Sequence, residues 1–308
     1  MTWNVHRPPA AHGLNILVTG GNAGIGYFIA EQLAAAGALV VLGSRDPSKA
    51  AAATAAIAAR VPAARVSHMP LDLADLSSLK ASVDGLDLDR LDVAVLNAGI
   101  ALDAPPRREN AAGHEQMLAT NHLGHFALTH WLNPLLDAAP AARVITMGSF
   151  AARSERLDPD DLQSRRDYDP KRTYGRSKLA QMSFAFELDR RLRAQGSDRA
   201  SLVAHPGGAL DSLTPARPAI PVRSVSSRLL SLPAGLLLQG KDAGAWPAVR
   251  AALDPDVSGG MLLGPRMFGL RGEPRIEQPR AHMTDPETAA HLWSASVALT
   301  GVDPSAAP

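Results

Sequence analysis

Residues 14–26 read Leu-Asn-Ile-Leu-Val-Thr-Gly-Gly-Asn-Ala-Gly-Ile-Gly. The apolar run Leu14 to Thr19 stops at a Gly-rich turn. Helix formers follow to Ala36, with Ile25, Ile29 and Leu33 at helical spacing. Strand, turn and helix in that order open a βαβ unit. Glycines let a backbone come close to a phosphate, and a helix start offers free N–H groups and the positive end of a dipole. The same residues also suit an ordinary tight turn, so this stretch alone settles only the local structure.

The alternation continues outward. Segments at 38–43, 65–69, 91–96, 142–147 and 200–204 read as strands, most of them apolar runs. Stretches 47–60, 75–83, 110–136 and 173–194 read as helices, the second of these families of segments filling the gaps of the first. Strands alternating with helices imply an α/β fold with a doubly wound parallel sheet, helices on both faces. Unbroken apolar strands fit a sheet covered on both sides. After Pro206-Gly207 the pattern loosens, and 208–240 reads as an irregular cap over a substrate. A helix at 242–253, a strand at 260–263 and a helix at 286–299 follow. Residues 1–13 read as a loose tail, and 14–308 as a single domain.

Composition narrows the function. The 308 residues carry 31 Lys+Arg against 30 Asp+Glu, a balance that gives no support for nucleic-acid binding. The absence of cysteine excludes disulfides, thiolate zinc sites and cysteine nucleophiles. No apolar run approaches the roughly 18 residues of a membrane span. The opening segment lacks the apolar core of a signal peptide. A cytoplasmic protein without a membrane anchor is expected.

Thr19-Gly20-Gly21-Asn22-Ala23-Gly24-Ile25-Gly26 has the spacing Gly-x-x-x-Gly-x-Gly. It resembles the cofactor turn of short-chain dehydrogenases/reductases, which implies a Rossmann-type dinucleotide-binding domain. On that resemblance Gly20, Asn22, Gly24, Ile25 and Gly26 bind the cofactor. Asp72 and Leu73, after the third strand, resemble the family's adenine contact. Asn97, Ala98 and Gly99 resemble the Asn-Ala-Gly that lies along the cofactor. Pro206 and Gly207 resemble the turn beside the nicotinamide, and His205 before them reads as structural or cofactor-side, with a catalytic role the alternative. Arg45 ends the second strand, 19 residues past Gly26. A cation there suits the 2′-phosphate of NADP, where an acid would suit NAD. NADP(H) is therefore favoured, with NAD(H) the alternative.

Tyr174 and Lys178 stand at i, i+4, on one face of the expected helix. A Tyr hydroxyl titrates near 10, so useful proton exchange near neutral pH needs a nearby cation that favours the phenolate. The resemblance adds Ser149, after the fifth strand, and Asn121, in Thr120-Asn121-His122-Leu123-Gly124-His125-Phe126. Asn121, Ser149, Tyr174 and Lys178 then match the family's catalytic tetrad, Asn121 supporting a water-mediated relay to Lys178. Tyr174 and Lys178 also contact the cofactor. The family's Val-Ser-Ser reads Met147-Gly148-Ser149 here, which loses a neighbouring hydroxyl and keeps the main one.

The Asn-His-Leu-Gly-His-Phe run, the long insert between Ser149 and Tyr174 and the C-terminal part resemble the retinol-dehydrogenase-like branch. The implied activity is hydride transfer between NADP(H) and a carbonyl or secondary alcohol. Leu229, Leu230, Leu232, Leu236, Leu237 and Leu238 suggest an apolar wall to the cap, hence a lipophilic small-molecule substrate. The missing anchor makes retinol itself a poor guess. His122, His125 and His130 have no fitting carboxylate beside them, so no metal is expected. A non-catalytic NADP(H)-binding regulator or scaffold, or a dehydratase or epimerase on the same fold, is the alternative. Homodimer, homotetramer and monomer all stay open.

Overall fold

The computed structural model describes residues 3–102, 104–218, 224, 226, 230–231 and 233–306. The expected strands become β1 (Asn15–Thr19), β2 (Leu39–Ser44), β3 (Arg65–Pro70), β4 (Val93–Leu96), β5 (Arg143–Met147), β6 (Ala200–Ala204) and β7 (Leu262–Met267). With β8 (Arg271–Glu277) they form one sheet in the order β3-β2-β1-β4-β5-β6-β7-β8. β1 to β7 pair in parallel, and β8 joins β7 antiparallel. Around the sheet lie α1 (Gly24–Ala35), α2 (Pro47–Arg60), α3 (Leu79–Asp84), α4 (Gln116–Leu118) and α5 (Gly124–Asp137). They are followed by α6 (Pro170–Ala194), α7 (Lys241–Gly244), α8 (Trp246–Leu253) and α9 (Pro286–Thr300). This is the expected Rossmann-like α/β fold.

The central strands are mostly apolar because their residues serve two cores in turn. Ile16 and Val18 of β1 pack with Phe28 and Leu33 of α1 and Ala248 and Val249 of α8. Leu17, between them, packs on the opposite face with Phe126 of α5 and Phe184 of α6. The pleat sends successive side chains to opposite faces. Burial of each such Val or Leu is worth about 1.5–3 kcal/mol.

Several expectations change. The helix expected from Asn110 begins only at Gln116. The Asn110 side chain accepts from Ala112 and His114 N–H, and the Glu115 carboxylate accepts from Met117 and Leu118 N–H. Such local bonds compete with helix and favour turns and caps. Between α4 and α5, Ala119–Leu123 forms a single π-helical turn. The expected helix at 242–253 is two short helices, with a Pro in the first turn of the second.

The strand β8 was hidden by its own composition, since Arg-Gly-Glu-Pro-Arg-Ile-Glu has no apolar run. Pro274 is tolerated because the strand is an edge. Residues 3–13, read as a loose tail, are tied down. Ala11 is buried and its N–H donates to Ala36 O at 2.7 Å, while Trp3 packs against the core.

The cap also differs from its reading. Among the described residues, Leu230, Leu236 and Leu237 face solvent, so they do not form an apolar wall. Leu238 is partly buried, and Leu229 and Leu232 lie outside the described residues. The cap is held by polar contacts instead. The Arg217 guanidinium donates twice to the Glu31 carboxylate on α1, at 2.6 and 2.8 Å, and Tyr27 donates to the same group at 2.9 Å. Among the described residues no helix is long and apolar enough to cross a membrane.

Candidate active site

The sheet order reverses between β1 and β4, and a cleft of about 540 Å³ opens at the carboxyl ends of these strands. Such switch points are where open α/β sheets bind ligands. Gly20, Asn22, Gly24, Ile25 and Gly26 line it from the turn, and Arg45 from the end of β2. Asp72 and Leu73 line it after β3, and Asn97, Ala98 and Gly99 after β4. The fold thus gathers sequence-predicted positions from four separate strand ends.

The turn fits a bound pyrophosphate. Gly20 and Gly24 have φ of +66° and +58°, which favour glycine. A Cβ on Gly26 would lie 2.4 Å from both Gly20 O and Asn97 Nδ2, so the helix start can sit this deep only without a side chain. Asp46, Asp169 and Asp285 cap α2, α6 and α9, but Ala23 offers no side chain to cap α1. The first-turn N–H groups of α1 therefore face the cleft without an intrahelical partner.

Thr19, quoted in the turn but given no role from sequence, is a joint. Its Oγ1 accepts from Asn97 and Ala98 N–H at 2.8 and 2.9 Å, and Asn97 Nδ2 donates to Thr19 O at 2.8 Å. The parting strands β1 and β4 are so held by one side chain. Asp72 spends one carboxylate oxygen on Ala74 N–H at 2.9 Å.

Arg45 is exposed at the rim, with Lys49 beside it in the same wall. Its neighbour Asp46 lines the same wall and caps α2. That carboxylate accepts from the Ser48 hydroxyl and from Ser48 and Lys49 N–H. The Ser48 hydrogen bond, foremost, holds the Asp46 carboxyl below the usual carboxylate range.

Ser149, Tyr174, Lys178 and Pro206 line a second space of about 200 Å³. Ile25, Asn97, Gly99 and Ile100 line both spaces, so the two adjoin. Ser149 caps the short turn Phe150–Arg153, its Oγ accepting from Ala151 N–H at 3.2 Å. Gly207, at φ +66°, makes the turn after Pro206 but lines neither space.

Asn121 occupies the π-helical turn, fully buried. Its Oδ1 accepts from Ile100 N–H, and its Nδ2 donates to Ile100 O and Ser177 Oγ, all at 2.8–2.9 Å. It therefore clamps the loop after β4 to α6, and its side chain does not reach Lys178 directly.

Lys178 is 4% exposed, and its Nζ donates to Gln181 Oε1 at 2.5 Å. Gln181 Nε2 donates to Leu96 O at 3.1 Å and lies as near to His125 Nδ1. His125 Nε2 lies 2.9 Å from Thr19 Oγ1. A buried polar chain thus runs from the lysine to the end of β1. Burial pushes His125 down to about 3, so it stays neutral near pH 7. Neither Gln181 nor this use of His125 was legible, because helical spacing says nothing of which polar groups meet.

Burial also pulls Lys178 down from 10.5 to about 7. Between those values the unfolded chain binds the extra proton, so stability rises with pH there. Lys178→Met should flatten that rise by up to about 1.4 kcal/mol per pH unit. Urea unfolding at pH 7 to 10 measures it, and equal slopes would place Lys178 in water.

Three other histidines bond to structural partners. His205 Nδ1 accepts from Gly207 N–H at 3.3 Å, so Nε2 carries the proton toward Glu277 of β8 at 3.2 Å. His122 bonds Ser296 on α9, and His130 lies 2.7 Å from Asp303 O. A third space of about 530 Å³, lined by Arg153, His205 and Glu277 among others, meets the smaller one at Ser149.

Residues 14–158 match the short chain dehydrogenase family model. The chain is 36% identical over 305 residues to the polyprenol dehydrogenase of Mus musculus, covering 96% of this chain and 87% of that one. It is 33% identical over 294 residues to retinol dehydrogenase 13 of Homo sapiens, covering 94% of this chain and 86% of that one. A solved structure of an uncharacterised protein from Mycobacterium paratuberculosis is similar over 98% of this chain and 99% of that one, with a TM-score of 0.78 and 35% identity. Strand order, the Gly-rich turn and these likenesses agree: the chain belongs to the short-chain dehydrogenase/reductase family, in its retinol-dehydrogenase-like branch, and is an oxidoreductase acting on alcohol or carbonyl groups.

Proposed function

We propose that this oxidoreductase uses NADP(H), with Tyr174 as general acid/base, on a lipophilic carbonyl or secondary alcohol. One observation carries the reading. Ser149, Tyr174 and Lys178 line a single space that shares Ile25, Asn97, Gly99 and Ile100 with the cleft beside the Gly-rich turn. A nicotinamide held along Asn97, Ala98 and Gly99 would supply hydride to the substrate carbon, or accept it in the reverse direction. The Tyr174 hydroxyl gives a proton to the carbonyl oxygen in reduction and takes it back in oxidation. The Ser149 hydroxyl holds that oxygen as charge develops. When protonated, the Lys178 ammonium favours the phenolate of Tyr174. Asn121 keeps the loop after β4 against α6, so both walls of the space stay in register.

The lipophilic part rests on the lining, since Ile25, Ile100, Ala101, Met147 and Pro206 surround the polar trio. The two curated relatives are named for polyprenol and retinol, both apolar alcohols. The NADP part rests on Arg45 and Lys49 at the rim and on the engagement of Asp46 with α2.

The test is NADPH oxidation with a panel of lipophilic ketones and aldehydes, beside titrations of NADPH and NADH. NADPH should bind tighter than NADH. Arg45→Ala should weaken NADPH by about 10- to 100-fold, the worth of a charge-assisted bond, and leave NADH nearly unchanged. Equal affinities in the unmutated protein would reject the NADP reading.

A further inference from the structure

The chain has only five lysines, and Lys49, Lys178 and Lys241 line the adjoining spaces. Lys49 belongs to the rim beside Arg45, and Lys178 to the polar trio. Lys241 has no part in either reading. It is the first residue of α7, far along the chain from the Gly-rich turn, yet it forms part of the same wall.

Its place is specific. A Cβ built on Gly24 would meet one heavy atom within 4 Å, Lys241 Nζ at 3.9 Å. The ammonium therefore stands over the uncapped start of α1. Its side chain is 25% exposed and pairs with Asp211, in the short turn Asp211–Leu213 of the cap. Its backbone N–H donates to Thr214 Oγ1 at 2.9 Å, and Thr214 Oγ1 donates to Leu210 O at 2.7 Å. Gln32 of α1 donates to Asp242 O at 2.9 Å, which fixes the start of α7 against α1. Two independent features thus converge on one spot: unpartnered N–H groups on one side and a held ammonium on the other.

We propose that Lys241 is a pyrophosphate-binding residue, closing from above the anion site that the first turn of α1 forms from below. Asp211 competes with the pyrophosphate for the same ammonium, so dinucleotide binding loosens the link between Lys241 and the cap. The inference rests on the reading that the cleft takes a nicotinamide dinucleotide. It adds a residue that the Gly-rich turn does not contain. The pyrophosphate is common to NADPH and NADH, whereas the 2′-phosphate is not. Lys241 therefore differs from Arg45 in a measurable way.

The experiment is titration of the purified protein with NADPH and with NADH, followed by calorimetry or by tryptophan fluorescence, without substrate. Lys241→Gln should weaken both dinucleotides by the same factor, about tenfold, as expected for a lost charge-assisted contact. Asp211→Asn should bind both about threefold tighter, its removed charge being a modest, half-exposed competitor. Loss confined to NADPH would move Lys241 to the 2′-phosphate and overturn the proposal. Unchanged affinity in Lys241→Gln would overturn it as well. Unchanged or weaker binding in Asp211→Asn would overturn the competition. Thermal unfolding checks each variant, and Lys241→Arg, which keeps the charge, should restore most of the affinity if Gln unfolds the start of α7. Should the unmutated protein bind neither dinucleotide, the cleft reading itself falls.

Discussion

Tyr174→Phe is expected to lower turnover by about 10²- to 10⁴-fold, the usual worth of general acid–base catalysis, with NADPH affinity changed less than about twofold. The substitution removes one hydroxyl and keeps the ring. Tyr174 is half-buried in the wall shared with Ser149 and Lys178, so the packing of α6 survives. Steady-state NADPH oxidation and a substrate-free titration separate the two effects. Retained turnover would take the proton role from Tyr174. Lost cofactor affinity would instead make Tyr174 a binding residue.

Gly26→Ala has the second largest expected effect, and it acts through space alone. The new Cβ would fall 2.4 Å from Gly20 O and from Asn97 Nδ2, and 2.9 Å from Gly20 C. A flexible side-chain end can yield, but the backbone of the turn cannot do so without moving α1. Overpacking of this kind costs about 1–3 kcal/mol of stability. It also displaces the helix start that faces the cleft. NADPH affinity should fall on the order of 100-fold, equivalent to about 2.7 kcal/mol of binding. Titration and thermal unfolding of the same sample measure both. Unchanged affinity would remove the Gly-rich turn from the phosphate site.

What was legible in the sequence follows from what has a period or a motif. Strands β1, β2, β4, β5 and β6 announce themselves because both faces are covered and most of their residues are apolar. The Gly-rich turn, Arg45, Asp72 and Asn97 are short-range signals at strand ends, and the topology brings them together. Tyr174 and Lys178 share a face by helical spacing. The rest was set by contacts that no spacing encodes. β8 is an edge strand of charges and proline, so it has no apolar signature. The Asn110 turn wins over helix through side-chain bonds to its own backbone. Gln181, Thr19 and Lys241 take their meaning from partners on other elements. The leucines of the cap illustrate the converse. A run of apolar letters implies burial, yet Leu230, Leu236 and Leu237 face water.

The closing strand has a consequence for how copies of this chain meet. A sheet ends in rows of unpaired backbone groups, and those rows can template the addition of foreign strands. Here one border is β8, with Pro274 mid-strand among Arg271, Glu273 and Arg275, and the other is β3, with Arg65 at its start and Pro70 at its end. Proline offers no N–H to an incoming strand, and charge disfavours a flat apolar seam. Growth by sheet extension is thereby blunted at both borders, so concentrated solutions should resist fibrillar polymerisation.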